Sequence, residues 1–338
     1  MGPILPWLAM FAAQGAVTGN AEAAPTLNER LTGDLVPTHD PVIAREGDTY
    51  RVFSTGHGTR PIETRSSSDL IHWVAGEPLF RALPQWAKTA VPGAEGMWAP
   101  DIAFVNGRWR LYYSVSTFES NRSAIGLFTS PTLDPKTGDY GWRDEGLVVR
   151  SSPDSDFNAI DPNFVIDREG RHWLALGSFW TGIKLFPVDP ATGKLLDPAQ
   201  KPYSLAKRPV PQGAPDPIEA PFIVSHGEYY YLFASYDYCC KGVNSTYYAV
   251  VGRSREITGP YLGKDGSAML EGGGTVFLRA DLKERQRFRG PGHTGWLKDA
   301  DGREYVVYHA YDREKQGAPA LRIAPIHWTA DGWPVADY

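Results

Sequence analysis

Five stretches of the chain share one pattern of apolar and polar positions. Each begins with a polar or acidic residue at the start of a short apolar segment, passes through a turn containing Gly or Asp, and continues into a second segment rich in aromatic residues. The five stretches are 39–53, 99–113, 160–176, 219–233 and 292–308. Short apolar segments separated by turn residues are typical of β-hairpins. The pattern therefore predicts an all-β protein.

The five stretches recur with a nearly regular period. Their key polar positions are 40, 101, 161, 219 and 293, which lie 61, 60, 58 and 74 residues apart. A period near sixty accommodates four strands of about six residues with their turns, which is one blade of a β-propeller. Because such a unit cannot bury its faces alone, neighbouring units must stack around an axis. We predict a five-bladed β-propeller; a pair of β-sandwiches is the alternative, but it does not explain the period.

Residues 1–24 differ from the repeats. Positions 4–13 are mostly apolar, and Ala21-Glu22-Ala23 has small residues at the spacing of a signal-peptidase site, although no Lys or Arg precedes the apolar run. We interpret 1–24 as a signal peptide or a disordered leader, and 25–338 as a single propeller domain. The protein is then expected to be secreted or periplasmic.

Composition narrows the range of functions. Lys and Arg number 34 against 39 Asp and Glu, a net charge of −5, which argues against a nucleic-acid-binding surface. The chain contains no apolar run of the 18 residues that a membrane-spanning helix needs. Two cysteines exclude both a disulfide scaffold and a Cys-rich zinc module. The 35 Gly and 28 Pro agree with many turns.

Four acidic residues occupy key positions of four repeats. In a propeller the first strand of every blade lines the central channel, so Asp40, Asp101, Asp161 and Glu219 are expected to face one region. Any one of them could be a turn-capping acid, but four together favour a site, because crowded carboxyls shift one another's pKa and can serve as acid and base. Four aromatic residues lie beside the key positions: Trp98, Phe118, Phe179 and Trp180. Carboxyls with flat aromatic surfaces suit glycoside hydrolysis.

Several motifs resemble a known family. They are Thr-His-Asp-Pro at 38–41, Met-Trp-Ala-Pro-Asp at 97–101, Ala-Ile-Asp-Pro-Asn at 159–163, Gly-Ser-Phe-Trp-Thr-Gly-Ile at 177–183, Ile-Glu-Ala-Pro at 218–221, Tyr-Asp-Tyr-Cys-Cys-Lys-Gly-Val-Asn-Ser-Thr-Tyr at 236–247, Gly-Pro-Gly-His at 290–293 and Tyr-His-Ala-Tyr-Asp at 308–312. Together they resemble glycoside hydrolase family 43, and more narrowly its endo-acting arabinanases. The motifs run from about residue 35 to the C-terminus, so the resemblance covers all but the leader.

The resemblance implies a five-bladed propeller that hydrolyses internal α-1,5-linked arabinofuranose chains of arabinan with inversion. It implies that Asp40 is the general base, that Glu219 is the general acid, and that Asp161 tunes the pKa of the acid and orients it. The family's metal ion, usually calcium, would be held by His293 with waters completing the shell. A single histidine is a weak signal for calcium, which prefers many oxygen ligands.

Further residues fall on family positions or depart from them. Trp98, Phe118 and Ser178 match positions that resemble sugar contacts, whereas Asp101 is assigned to support or substrate contact. Glu119 stands where related sequences often carry Gly, beside the expected cleft, which leaves the preferred chain length of the substrate open.

The resemblance also leaves some alternatives open. The adjacent Cys239 and Cys240 could form a vicinal disulfide or remain two small thiols, and we favour a packing role without redox function. The alternatives for function are an exo-acting α-L-arabinofuranosidase, a β-xylosidase of the same family, and a carbohydrate-binding propeller without catalysis. The expected partner is arabinan, as in pectin side chains, and the protein is expected to be a monomer.

Overall fold

The computed structural model describes residues 1–2, 24–211, 214–280 and 287–338. Apart from three short 3-10 turns (Gly242–Asn244, Met269–Glu271 and Arg313–Lys315), the helices are α1 (Leu27–Arg30) and α2 (Gln85–Ala90). The strands are β1 (Thr32–Gly33), β2 (Val42–Glu46), β3 (Thr49–His57), β4 (Arg60–Ser67), β5 (His72–Ala75), β6 (Gly96–Val105), β7 (Arg108–Val115), β8 (Ala124–Ser130), β9 (Arg143–Arg150), β10 (Asn163–Ile166), β11 (His172–Leu176), β12 (Ile183–Val188), β13 (Tyr203–Ala206), β14 (Ile218–His226), β15 (Tyr229–Tyr236), β16 (Tyr248–Ser254), β17 (Thr275–Leu278), β18 (Phe288–Lys298), β19 (Glu304–Asp312), β20 (Ala318–Trp328) and β21 (Pro334–Ala336).

These elements confirm the all-β prediction. Both α-helices in the described part of the chain are far shorter than the apolar length needed to cross a bilayer. The predicted leader, 1–24, falls almost entirely outside the described residues.

The predicted hairpins form because the turn residues permit tight reversals. Between β6 and β7, Asn106 and Gly107 both have positive φ, 52° and 76°. A two-residue type I′ turn requires positive φ at both central positions, and Asn-Gly is the pair that adopts it at least cost. Local chemistry of this kind explains why the hairpins could be predicted from the sequence.

The strands pair as one nine-stranded sheet and three four-stranded sheets within the described residues. In the nine-stranded sheet, β2–β5 pair in antiparallel order and so do β6–β9; the two groups join where Gly56 and His57 pair with Met97 and Gly96. The remaining sheets are β10–β13, β14–β17 and β18–β21. We call these five antiparallel groups of four strands runs one to five.

Buried apolar clusters lie between successive runs. Val42 of run one packs with Leu111 of run two, and equivalent clusters join run two to three, three to four and four to five. A fifth cluster joins Ile43 of run one to Val307 and Ile323 of run five. The first strands of the runs lie against one another in the order β2, β6, β10, β14, β18 and back to β2.

The segment before run one covers the junction between runs five and one. Leu27 and Leu31 belong to the cluster at that junction. The buried Asn28 side chain donates to the Tyr308 hydroxyl at 3.1 Å and accepts the Ile323 N–H at 2.9 Å. Because both partners belong to run five, this segment fastens the last run to the beginning of the chain.

Candidate active site

One residue at the start of each run adopts a left-handed backbone conformation. These residues are Asp40, Ala99, Asp161, Ala220 and His293, with φ of 51°, 45°, 58°, 54° and 53°. The left-handed region costs a residue with a side chain about 1–2 kcal/mol. Such strain persists only where the surroundings fix it, and it is concentrated at functional sites. The five positions therefore mark equivalent points where the first strands approach one another.

A side chain from the preceding run holds most of these strained residues. Their backbone N–H groups donate to the second strand of that run: Asp40 to His309 Nδ1 at 3.2 Å, Ala99 to Thr55 Oγ1 at 2.8 Å, Asp161 to Ser114 Oγ at 2.9 Å and His293 to Ser235 Oγ at 2.9 Å. The exception is Ala220, because the equivalent position after β11 is Gly177, whose N–H donates to the Ile160 carbonyl. Instead, the Ala220 N–H donates to Asp161 Oδ2 at 3.1 Å.

The equivalent positions differ from those expected for two of the acids. The left-handed residues of these two runs are Ala99, two residues before Asp101, and Ala220, one residue after Glu219. The pairing of β6 and of β14 is irregular at these points. The buried Asp101 carboxylate accepts the Phe164 N–H at 2.6 Å and an Asn163 N–H at 3.3 Å. Burial raises the pKa of Asp101 to about 7 despite these donors. Asp101 therefore joins β6 to β10, as the support role predicts.

Asp40 is an almost fully buried carboxyl with three hydrogen-bond donors. Oδ2 receives His39 Nδ1 at 2.7 Å and the Thr55 hydroxyl at 2.6 Å, and Oδ1 receives His293 Nδ1 at 3.1 Å. Burial alone acts to raise the pKa of Asp40, but the His39 and His293 rings outweigh it and hold the pKa well below its usual value. Asp40 is therefore ionised.

Asp161 and Glu219 have the opposite electrostatic character. Burial raises the pKa of Asp161 well above its usual value; His293 opposes this rise, and the charges of Glu219 and Asp40 add to it. Burial also raises the pKa of Glu219, against the hydrogen bonds of Ser178 and Tyr247. The Ser178 hydroxyl donates to Glu219 Oε2 at 2.8 Å. An ionised carboxylate thus faces two carboxyls that tend to keep their protons, an arrangement typical of acid–base pairs.

His293 lies among the three acidic residues. Burial acts to lower its pKa, but Asp40, Asp161 and Glu219 together raise the pKa to about 9. Its Nδ1 is engaged by Asp40, so a cation would have to bind at Nε2 and replace the proton that the raised pKa places there. The described residues contain two groups of three close metal-ligand side chains, His39–Asp40–His309 and His39–Cys239–Cys240. Neither includes His293, so the side chains of these two groups would not complete the coordination of a cation at its Nε2.

Aromatic side chains lie at the same end of the runs. Trp98 immediately precedes the strained Ala99, and its ring packs against Phe118 at 5.5 Å between centroids. Phe118 is 73% exposed. Glu119, at the family position where Gly is frequent, has a φ of 58°. A second aromatic pair consists of the half-buried Phe179 and the exposed Tyr238, whose ring centroids lie 5.9 Å apart, and the neighbouring Trp180 is also exposed.

Cys239 and Cys240 form a disulfide, one of the two alternatives considered. The Cys240 N–H donates to the Tyr311 oxygen at 2.7 Å, and the Tyr311 hydroxyl lies 2.9 Å from His39 Nε2. On the other side of the same ring, His39 Nδ1 lies 2.7 Å from Asp40 Oδ2. A chain of hydrogen bonds therefore runs from the disulfide loop to the Asp40 carboxylate.

The structure brings the predicted Asp40, Asp161, Glu219, His293 and Ser178 into one network, and Trp98 contacts Phe118 beside it. Other residues of the network did not emerge as site residues from the sequence: Thr55, Tyr247 and Tyr311. Thr55 could have been found by pairing β2 with β3. Tyr247 and Tyr311 could have been found because they lie in the family motifs at 236–247 and 308–312.

The chain is similar to known proteins over most of its length. Residues 36–334 match Glycosyl hydrolases family 43. The chain is 44% identical to the extracellular exo-α-(1→5)-L-arabinofuranosidase of Cellvibrio japonicus, covering 89% of this chain and 87% of that protein. It is 43% identical to the extracellular endo-α-(1→5)-L-arabinanase 1 of Bacillus subtilis, covering 88% and 86%.

A solved structure is similar over the same length. The α-L-arabinanase of Cellvibrio cellulosa, in complex with arabinohexaose, superposes with a TM-score of 0.84 at 42% identity, covering 90% of this chain and 96% of that one. The family match, the two relatives and this structure each span most of the chain. The chain therefore belongs to glycosyl hydrolases family 43 and is a glycoside hydrolase.

Proposed function

We propose that this protein is an extracellular endo-acting arabinanase that hydrolyses internal α-1,5-L-arabinofuranosidic bonds with inversion of configuration. The observation that carries the proposal is the opposed environment of Asp40 and Glu219. Three donors hold Asp40 ionised, whereas burial favours the protonated form of Glu219. Two carboxyls of opposite protonation state are what glycoside hydrolysis requires. The names of the relatives supply the substrate class.

In this mechanism each carboxyl moves one proton. Asp40 removes a proton from a water molecule while the water oxygen forms its bond to the anomeric carbon. Glu219 gives its proton to the glycosidic oxygen as the bond to the leaving sugar breaks. Asp161 accepts the N–H of Ala220, the residue after Glu219, and so orients the acid. Turnover leaves Asp40 protonated and Glu219 ionised, and exchange with solvent restores both.

The five runs support a five-bladed propeller as the architecture of 25–338, which we propose is one catalytic domain. Each apolar cluster joins two successive runs, and the cluster between runs five and one closes the series. Closed packing of four-stranded units is the arrangement of a propeller. The sugar-contact roles proposed for Trp98 and Phe118 agree with the exposure of Phe118, and Ser178 would act through Glu219.

We also propose a cation, calcium in this family, at His293 Nε2, with water as its main ligand. Such a cation would supply positive charge beside the acidic residues, while His293 itself orients Asp40 through Nδ1. The extracellular names of two relatives support secretion, and we propose a monomeric enzyme.

An exo-acting arabinofuranosidase is the second candidate, because a relative at 44% identity carries that name. Exo action releases a single small product from the start of the reaction. Endo action first releases oligosaccharides of mixed length. Product sizing over time therefore separates the two.

The test offers linear debranched arabinan to the purified protein and sizes the fragments. General acid–base groups contribute about 10²- to 10⁴-fold, so Asp40→Asn and Glu219→Gln are expected to lose activity on that scale. The control is Asp299→Asn, another buried carboxyl, which accepts the Tyr50 hydroxyl at 2.6 Å in the turn between β18 and β19, outside the site, and which is expected to keep most activity. If the wild type released no arabinose or arabino-oligosaccharides, or if either acid variant stayed fully active, the proposal would be wrong.

A further inference from the structure

Thr55 lies on β3, where its hydroxyl has a defined donor and a defined acceptor. The Ala99 N–H donates to Thr55 Oγ1 at 2.8 Å. The hydroxyl proton is therefore directed elsewhere, and Asp40 Oδ2 lies 2.6 Å from the same oxygen. The backbone of Thr55 is also fixed, since its N–H donates to the His39 carbonyl at 3.0 Å. The side chain is β-branched, which further restricts rotation about χ1.

The contacts of Asp40 leave its two carboxylate oxygens unequal. A carboxylate offers about four acceptor positions, two on each oxygen. Among the described residues, Oδ2 receives hydrogen bonds from both His39 and Thr55, whereas Oδ1 receives one from His293. His309 Nδ1 is 3.6 Å from Oδ1 and accepts the Asp40 N–H, so it does not donate there. One acceptor position of Oδ1 therefore stays open.

We propose that Thr55 is a positioning residue that, together with His39, saturates Asp40 Oδ2 and leaves Oδ1 as the atom that takes the proton from the attacking water. The inference rests on the proposed role of Asp40 as the general base. Because the same hydroxyl accepts the N–H of Ala99, which follows Trp98, Thr55 also fixes the base relative to the strand that carries the aromatic surface.

Comparison with the equivalent positions supports a dedicated role. Ser114 and Ser235 also accept the N–H of a left-handed residue, at 2.9 Å in both cases. Neither hydroxyl donates to a carboxylate within the described residues. The threonine occurs at the position where the hydroxyl has a second task, which is to fix the ionised carboxylate.

The test compares Thr55→Val with Thr55→Ser on a linear arabino-oligosaccharide. Valine preserves the shape and removes the hydroxyl, whereas serine keeps the hydroxyl. A hydrogen bond to a charged group corresponds to about 10- to 100-fold, so kcat of Thr55→Val is expected to fall by that factor. KM is expected to change by less than about threefold, because the hydroxyl acts on the base. Thr55→Ser should keep kcat within about threefold of the wild type.

The matched control is Thr129→Val. Thr129 is a buried strand threonine that, like Thr55, donates to a carboxylate, Glu145 Oε1 at 2.8 Å, outside the site. Thermal melting of every variant is recorded so that rates refer to folded protein. Thr129→Val should keep the kcat of the wild type.

Three results would overturn the inference while Asp40→Asn behaves as a base variant should. They are a Thr55→Val kcat equal to that of the wild type, an equal loss in Thr55→Ser, and an equal loss in Thr129→Val. If Asp40→Asn were itself fully active, the proposed function would be wrong. The inference about Thr55, which depends on it, would then be wrong as well.

Discussion

Gly177 occupies the position at which the other runs carry a side chain that accepts the N–H of a left-handed residue. Replacing Gly177 with Ala tests whether the backbone there tolerates a side chain. Its φ is 132°, a backbone region that residues with side chains rarely adopt. A Cβ added there would lie 2.6 Å from the Gly182 carbonyl oxygen and 3.2 Å from the Ile183 Cα. Both obstacles are backbone atoms of the facing segment, so rotation of a side chain cannot relieve the clash.

The two effects can be estimated separately. Forcing a residue with a side chain into such a region costs about 1–3 kcal/mol. Overpacking against a rigid neighbour costs a further 1–3 kcal/mol, roughly. We expect Gly177→Ala to lower the free energy of unfolding by about 2–6 kcal/mol. In a chain of this size that corresponds to a drop in Tm of roughly 4–12 °C.

Two other glycines separate backbone strain from the clash. Gly107 has a φ of 76° and open space around the added Cβ, so Gly107→Ala should lose about 1–2 kcal/mol, the strain alone. Gly138 also has open space and no positive φ, so Gly138→Ala should be neutral or slightly stabilising. Urea unfolding measured by fluorescence would rank the three. A Gly177→Ala variant no less stable than Gly107→Ala would refute the assigned clash.

Three further predictions concern the site itself. Ser178→Ala removes a hydrogen-bond donor that lowers the pKa of Glu219, so the acid should keep its proton to higher pH. The alkaline limb of the kcat/KM profile should therefore move to higher pH, and a limb that stays or moves to lower pH would contradict the role of this contact. His293→Ala should abolish calcium binding measured by calorimetry. Unchanged binding would show that His293 is not the ligand of the cation. Replacing Cys239 and Cys240 by Ser should change the free energy of unfolding by less than about 1 kcal/mol, because their disulfide closes almost no loop. A larger loss of unfolding free energy, measured with urea, would show that the bond stabilises the fold in another way.

The sequence predicted the hairpins but misaligned the repeats. Strand alternation and turn residues are local, so the all-β fold and the sixty-residue period could be recognised directly. The register was set on acidic residues, at 101 and 219, whereas the backbone aligns at Ala99 and Ala220. β6 shifts register between Trp98 and Asp101, β14 shifts after Glu219 and β18 shifts around Gly292, so the position of an acid in the sequence does not by itself fix its place in the strand pairing. Irregularities of this kind depend on pairing across strands, and they leave no local signal.

The network around the base shows a second limit on what could be predicted from the sequence. The resemblance identified Asp40 as a candidate base, but its ionisation depends on donors that are distant in sequence. His293 and Tyr311 reach the Asp40–His39 pair from run five. Such partners are brought close only by the packing of run one against run five. A residue's chemistry could thus be predicted from its motif, whereas the environment that tunes it could not.

The exception at Gly177 changes how one of the five left-handed residues is held. Four of the five left-handed residues donate their backbone N–H to a side chain from the preceding run. At the junction of runs three and four, glycine supplies no such side chain, so the Asp161 carboxylate itself holds Ala220. This ties a carboxyl of high pKa to the peptide that follows the acid Glu219. The opposed protonation states of the base and the acid have separate causes, because His39 and His293 hold Asp40 ionised, whereas burial raises the pKa of Glu219.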